Sequence, residues 1–212
     1  MLTQKQLKIL GFFSSNLFAE YSFSDLKKHL QESSHSFLQK TLLLLTEKKL
    51  ILSRRIGSSK VYRLNISSSL LYSYLPLYAQ GVLCVQARMS LDFLAKELSS
   101  CPFVSVVVFG SYANNSQTSS SDLDILILTP SSAQKKSVRI ALNHAKTTSL
   151  LPIDSTILTF FEFKKLLLAP YDNLAKQIVS KNLPIFNPLP FYSSILLTLY
   201  NDFNYSSQKS TK

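Results

Sequence analysis

Cysteine is scarce in this sequence, which has only two cysteines and no tryptophan among 212 residues. Cys84 and Cys101 have neither the spacing of metal ligands nor enough partners for a disulfide framework. These observations argue against a zinc site and against a small disulfide-stabilised secreted domain. We therefore expect a reduced, cytoplasmic protein in which both thiols are ordinary buried side chains.

Long uninterrupted apolar runs are also lacking, although 46% of the residues are hydrophobic. Residues 64–87 carry no charge, but serines, glutamines and Pro76 interrupt them. Residues 182–201 contain three prolines in their first half. Neither segment is a continuous apolar helix of bilayer length. We expect no membrane span and no membrane partner, and the amphipathic start of the chain predicts no secretory leader.

Acidic residues are few, with 12 Asp and Glu against 23 Lys and Arg, a net charge of +11. Residues 1–65 hold 11 basic and 4 acidic residues, a net +7, and the remainder holds 12 and 8, a net +4. The smaller N-terminal part thus carries most of the excess charge. This asymmetry predicts a polyanionic partner and places nucleic-acid binding in the first part.

Residues 104–128, VSVVVFGSYANNSQTSSSDLDILIL, combine two apolar strands with a polar insert. Asp122 and Asp124 are two positions apart, so on a strand both carboxylates point to the same side. Their repulsion calls for a cation, and Mg²⁺ is the hard ion that oxygen ligands prefer. Gly110 and Ser111 open a helix after the first strand, where backbone N–H groups face an anion such as phosphate. The combination indicates phosphoryl or nucleotidyl transfer.

A later predicted strand, LPIDSTILTFFEF, adds a third carboxylate, Asp154. With it, about residues 86–190 resemble the minimal nucleotidyltransferases of the polymerase-beta superfamily, prokaryotic type. That family has a strand, Gly-Ser, an aromatic residue, Ala, usually Arg-Gly, a variable polar run and Ser-Asp-x-Asp on the next strand. Here the run is Gly110-Ser111-Tyr112-Ala113 followed by Ser121-Asp122-Leu123-Asp124, at the family's spacing.

The resemblance implies a role for each matching residue. Gly110 and Ser111 would hold a nucleoside triphosphate, with ATP the expected substrate. Asp122, Asp124 and Asp154 would be catalytic and would ligate Mg²⁺, and Asp154 would help to deprotonate the acceptor hydroxyl. That hydroxyl would belong to a protein or a small molecule. Some family members are antitoxins that adenylylate a partner toxin, and the resemblance allows such a partner here.

The motif departs from the family at Asn114-Asn115, where Arg-Gly is usual. The substitution removes a fixed positive charge near the mouth of the expected site. Asparagine tolerates left-handed backbone geometry, so Asn115 is expected to adopt the conformation of the missing glycine. All three aspartates remain, which favours an active enzyme over a decayed, purely structural copy.

The N-terminal part resembles a winged helix-turn-helix over about residues 2–65. The resemblance is carried by the helix SDLKKHL, capped by Ser24, by a second helix from about Ser34, and by the glycine-tipped hairpin RRIGSSKVYRLN. In that family the second helix enters the major groove and the wing follows the DNA backbone. The implied groove contacts are Ser34, His35, Ser36, Gln39 and Lys40. The implied phosphate contacts are Arg54, Arg55, Lys60 and Arg63.

The predicted fold class is therefore α+β. A winged helix-turn-helix, 1–65, precedes a nucleotidyltransferase-fold α/β domain, 86–203, whose mixed sheet is flanked by helices. Residues 66–85 are expected to be a broken linker that packs the domains together or binds a second copy in a homodimer. Residues 204–212 are expected to be a disordered tail.

Other functions stay open from the sequence. The chain could be a DNA-binding transcriptional regulator whose second half is a nucleotide sensor or an inactive scaffold. The basic hairpin could be merely solvated while its module mediates dimerisation. Positive charge does not separate DNA from RNA, so an RNA partner such as a tRNA is a third alternative.

Overall fold

The computed structural model describes residues 1–14 and 17–209 of the chain. The chain divides into two compact units, Met1–Gly81 and Val82–Lys212. The first unit is longer than the N-terminal domain predicted from the sequence, 1–65. Each unit has its own buried apolar residues.

The first unit combines four helices with a small sheet. Its helices are α1 Gln4–Ser14, α2 Phe23–His29, α3 His35–Glu47 and α4 Ser69–Val82. Its strands are β1 Tyr21–Ser22, β2 Ile51–Ile56 and β3 Ser59–Leu64. The strand order is β1-β3-β2, and both pairings are antiparallel.

Local capping signals determine where α2 and α3 begin. Ser22, and not Ser24 as predicted, caps α2: its hydroxyl accepts the Asp25 N–H at 3.2 Å, and the Asp25 carboxylate accepts the Ser22 N–H at 2.9 Å. This reciprocal capping box satisfies two backbone donors, which explains why the helix starts earlier. Ser34 caps α3 by accepting the Phe37 N–H at 3.2 Å, so the predicted start of this helix is confirmed.

The predicted hairpin is confirmed between β2 and β3. Ile51 pairs with Leu64 at its base and Arg55 pairs with Lys60 near its tip. Gly57 at the turn has φ +58°, a left-handed conformation that glycine adopts without a steric penalty.

Helix α4 replaces most of the broken linker that was predicted for residues 66–85. Pro76 lies inside this helix, and the Tyr78 ring lies over Gly11 of α1. A Cβ built on Gly11 would come 2.3 Å from the Tyr78 Cζ atom. This close contact extends the first unit beyond residue 65. The sequence could not reveal it, because the contact depends on residues far apart in the chain.

The second unit is built on a four-stranded mixed sheet. Its strands are β4 Ser105–Val108, β5 Leu123–Thr129, β6 Ile153–Thr159 and β7 Leu183–Phe186. The order is β6-β5-β4-β7; β5 and β6 are parallel and the other pairs are antiparallel. The predicted mixed sheet is thus confirmed.

Helices flank this sheet. They are α5 Val85–Glu97, α6 Gly110–Asn114, α7 Gln134–Thr148, α8 Phe160–Leu168, α9 Leu174–Ser180 and α10 Pro188–Lys209. Helix α7 packs on β6 and α5, while α10 packs on β4 and α8. The central strands are the core, with Val107, Val108 and Ile125 fully buried.

The last helix, α10, overlaps the tail that was predicted at residues 204–212. The helix is assigned over Pro188–Lys209, and the disordered tail stays a prediction. Residues 210–212 lie outside the described part of the chain. Among the described residues, no helix has the length and apolar character needed to cross a membrane.

Candidate active site

The turn from β4 into α6 places Gly110 directly against Asp124. The Phe109 N–H donates to the Asp124 carbonyl at 3.0 Å, which joins the end of β4 to the start of β5. Gly110 has φ +66°, and a Cβ built there would come 2.1 Å from the Asp124 Oδ2 atom. Both the backbone conformation and the available space therefore require glycine at this position.

Asp124 is half-buried and surrounded by other carboxylates. Burial raises the pKa of Asp124 most, and the charges of Asp154 and Asp122 raise it further. A hydrogen bond from the Ser111 backbone opposes this increase in the pKa. A site that holds an ionised carboxylate against such repulsion is suited to a cation.

The other two aspartates flank Asp124. Asp122 is exposed and lies one residue before β5, whereas both aspartates were expected on the strand. The buried Leu123 separates the two carboxylates, as the alternation of strand side chains predicts. Asp154 is the second residue of β6, and the parallel register places it beside Asp124. Three carboxylates thus occupy neighbouring positions at one end of two paired strands.

The donor chemistry of this site fits Mg²⁺, because all three side chains offer carboxylate oxygens. Their side chains are not gathered into a ligand set: within the described residues, no three His, Cys, Asp or Glu side chains are grouped so as to hold a metal ion. The Asp154 Oδ1 atom instead accepts the Ser155 N–H at 2.7 Å. Binding of a metal by all three aspartates would therefore require side-chain rotation.

The departure at Asn114-Asn115 changes the charge but not the backbone. Asn115 has φ +56° and ψ +36°, which confirms the left-handed conformation expected at the position of the missing glycine. Its N–H donates to the Ser111 carbonyl and ends α6. Asn114 is exposed and supplies no positive charge.

Sequence reasoning gave no role to Tyr112 or Cys84, which lie beside the site. Burial raises the pKa of the buried Tyr112, and the nearby Cys84 and Asp122 raise it further. Cys84 precedes α5, so the start of this helix lies near α6. Tyr112 belongs to the motif and could have been singled out as its buried aromatic residue. No local sequence pattern indicates that Cys84 lies beside the site.

The groove candidates of the first unit lie at the start of α3. Ser34 uses its hydroxyl as the helix cap. The side chains of the other four are exposed: His35, Ser36, Gln39 and Lys40. The His35 ring lies 4.5 Å from the Phe23 ring, measured between centroids, and the two ring planes are tilted by 44°.

The structure separates the four hairpin cations into two pairs. Arg54 and Arg63 lie on one face of the hairpin, where Arg54 Nη2 contacts Glu20 Oε2 at 2.7 Å and Arg63 Nε lies 4.0 Å from Glu20 Oε1. The hydrogen bond from Arg54 is the main reason that the pKa of Glu20 is lowered. Arg55 and Lys60 pair across the strands on the opposite face. Only the second pair lacks Glu20 as a neighbour.

Comparison with known proteins gives one match, which lies in the second unit. Residues 91–185 match a family model described as a nucleotidyltransferase domain. The match runs from α5 to β7 and includes Gly110, Ser111 and the three aspartates. No curated protein and no solved structure was found to match the chain. Over residues 91–185 the second unit is therefore similar to nucleotidyltransferase domains.

Proposed function

We propose that the second unit transfers a nucleoside monophosphate from a nucleoside triphosphate, ATP in the first instance, to a hydroxyl group. The acceptor belongs to a protein, such as a toxin-like partner, or to a small molecule. The observation that carries this proposal is the register of Asp124 beside Asp154 next to the turn at Gly110. The family match over the same residues supports it.

The residues of the chain divide the reaction between them. The Ser111 hydroxyl and the backbone at Gly110 bind the triphosphate. Asp122, Asp124 and Asp154 would hold Mg²⁺, which when bound neutralises phosphate charge and assists the departure of pyrophosphate. Asp154 accepts the proton of the acceptor hydroxyl. The hydroxyl oxygen bonds to the α-phosphorus as the bond from that phosphorus to the bridging oxygen breaks, and pyrophosphate leaves.

For the first unit we propose a winged helix-turn-helix that binds duplex DNA. The order of helix, strand, two helices and hairpin supports this, as does the excess of positive charge in residues 1–65. His35, Ser36, Gln39 and Lys40 contact the major groove from the start of α3. Arg55 and Lys60 contact phosphates from the hairpin.

A second candidate function follows from Asn114. Because this residue provides no charge where the related enzymes usually have arginine, the nucleotidyltransferase domain could bind nucleotide without turnover. The chain would then be a DNA-binding regulator with a nucleotide sensor. This candidate requires nucleotide binding that alters DNA affinity in the absence of any covalent product.

Transfer of label separates the two candidates. The purified full chain is incubated with Mg²⁺ and each α-³²P-labelled nucleoside triphosphate, in lysate from the native host that supplies acceptors. Labelling that disappears in the Asp122→Ala, Asp124→Ala double variant supports the enzyme. Asp92→Ala, an exposed aspartate on α5, is the matched control and should keep the labelling. No labelling with any nucleotide, together with salt-sensitive binding to a duplex, would favour the regulator.

A further inference from the structure

Ser90 is a buried serine of α5 that connects this helix to a distant loop. Its side chain is 0% exposed. Its hydroxyl donates to the Gln86 carbonyl at 2.9 Å and accepts the Leu150 N–H at 3.1 Å. The bond to Gln86 directs the hydroxyl hydrogen along the helix, which leaves the oxygen lone pairs for Leu150. One hydroxyl group thus satisfies a backbone donor sixty residues away.

The loop that Ser90 contacts, residues 149–152, leads directly into β6. Within it, the Ser149 hydroxyl donates to the Leu151 carbonyl at 2.6 Å. On its far side, the Pro152 carbonyl accepts the Leu123 N–H at 2.8 Å. The loop is therefore attached to α5 at Leu150 and to β5 at Pro152. Asp154 follows two residues after the second attachment.

Strand β6 needs this attachment more than an inner strand would. Among the strands that the structure describes, β6 lies at the end of its sheet and pairs with β5 alone. The position of Asp154 beside Asp124 consequently depends on the β5 pairing and on the loop that starts the strand. Misplacement of a catalytic group by about 1 Å can reduce turnover on the order of a hundredfold.

We propose that Ser90 is a positioning residue for the nucleotidyl transfer proposed above, and that it keeps Asp154 beside Asp124 by holding Leu150. Ser90 touches neither the nucleotide nor the acceptor. It acts through the loop 149–152 and the register of β6. Its loss should lower kcat more than it changes KM for the nucleotide, because Gly110 and Ser111 lie at the start of α6, outside this loop.

The test compares three variants of the full chain with the wild type. Ser90→Ala removes the hydrogen-bond acceptor for the Leu150 N–H. Ser90→Cys offers only a weak acceptor, but its side chain is of similar size and therefore leaves no cavity. Ser194→Ala is the matched control, since Ser194 makes the same kind of bond to Pro190 within α10 at 2.8 Å. Hydrogen exchange at the Leu150 amide, Mg²⁺ affinity by thermal shift, and kcat and KM for ATP are measured for each.

The expected result is faster exchange at Leu150, weaker Mg²⁺ binding and a fall in kcat of roughly ten- to a hundredfold in both Ser90 variants. KM for ATP should stay within about twofold, as expected when ground-state binding is retained, and Ser194→Ala should match the wild type. Unchanged kcat and Mg²⁺ affinity despite faster exchange at Leu150 would overturn the proposal. An inactive wild type would refute the proposed function instead; the Mg²⁺ affinities would then still decide whether Ser90 positions the carboxylates.

Discussion

At the scale of single residues, the site is organised around the contact between Gly110 and Asp124. The absence of a side chain at Gly110 lets a carboxylate lie against the backbone turn. The same carboxylate is half-buried and repelled by two others, so its ionisation is unfavourable in the folded chain. These two properties of one contact give separate predictions.

Replacement of Gly110 by alanine should destabilise the second unit and abolish nucleotidyl transfer. A left-handed backbone costs a residue other than glycine about 1–3 kcal/mol, and the new Cβ would in addition displace the Asp124 carboxylate. Urea unfolding followed by circular dichroism measures the loss. Gly57→Ala is the control, because Gly57 has φ +58° but open space around its Cβ position. Equal losses in the two variants would show that the contact with Asp124 adds nothing.

Asp124→Asn should stabilise the metal-free protein at neutral pH while abolishing activity. The folded-state pKa of Asp124 lies above its ordinary value, so its ionisation opposes folding. Wild-type stability should therefore rise as the pH falls through that raised pKa, and the advantage of the variant should disappear there. Thermal melting in EDTA across a pH series measures this.

Mg²⁺ provides the complementary measurement for the same substitution. The ion should raise the melting temperature of the wild type and should have little effect on Asp124→Asn, because binding to the native state alone stabilises a protein. If the variant melted lower than the wild type at neutral pH, repulsion at Asp124 would not be the dominant effect.

At the scale of secondary-structure elements, local sequence patterns predicted several strands and helix starts correctly, but they did not predict contacts between residues far apart in the chain. The strands around Asp124, the hairpin and the cap at Ser34 follow from alternation, a glycine turn and a capping residue, all within a few positions. Helix α4 depends on the fit of Tyr78 over Gly11, which no local pattern reports. The bond from Ser90 to Leu150 likewise joins segments that only the fold brings together.

The hairpin cations also show what local sequence patterns do not report. The sequence shows four basic residues in the hairpin, but only the pairing of the strands shows which of them lie near Glu20. Glu20 precedes β1 and reaches Arg54 and Arg63 only because β1 pairs with β3. The Glu20 carboxylate, which binds Arg54 and lies near Arg63, competes with phosphate for these arginines. Arg55 and Lys60 are on the other face of the hairpin.

The two cation pairs should therefore contribute unequally to DNA binding. Arg55→Ala with Lys60→Ala should weaken duplex binding and reduce the slope of log K against log salt by about 1.8, or roughly 0.9 for each phosphate that is no longer neutralised. Arg54→Ala with Arg63→Ala, which removes the same charge, should leave the slope close to that of the wild type. Titration at several salt concentrations by fluorescence anisotropy measures both slopes. The opposite ranking would assign the phosphate contacts to the face that carries Glu20.

At the scale of the whole molecule, the chain is two units with different charge and different chemistry. The aspartates of the site and the family match lie in the second unit, while the sequence before residue 66 carries a net +7. Each unit has a buried core of its own, in which Leu10 and Leu45 belong to the first and Val107 and Leu126 to the second. The two proposed activities should accordingly be separable.

Fragments divided at the observed boundary should each keep one activity. Residues 82–212 should retain Mg²⁺-dependent labelling, and residues 1–81 should retain binding to duplex DNA. A fragment that ends at residue 65 should unfold more readily than 1–81, because it lacks α4 and the contact between Tyr78 and Gly11. Circular dichroism melts, labelling and anisotropy measure the three outcomes. Labelling that requires residues 1–81 would indicate that the catalytic unit depends on the first.

Because β6 lies at the end of its sheet, Asp154 also affects how molecules of this protein associate with one another. A strand with an unpaired edge can add to the sheet of another copy, and a charged side chain on such a strand discourages that pairing. Asp154 is exposed on β6 and provides this charge. A substitution that removes it would take away a safeguard against aggregation together with the proposed catalytic group. Loss of activity in an Asp154 variant is therefore informative only for protein shown to be monodisperse.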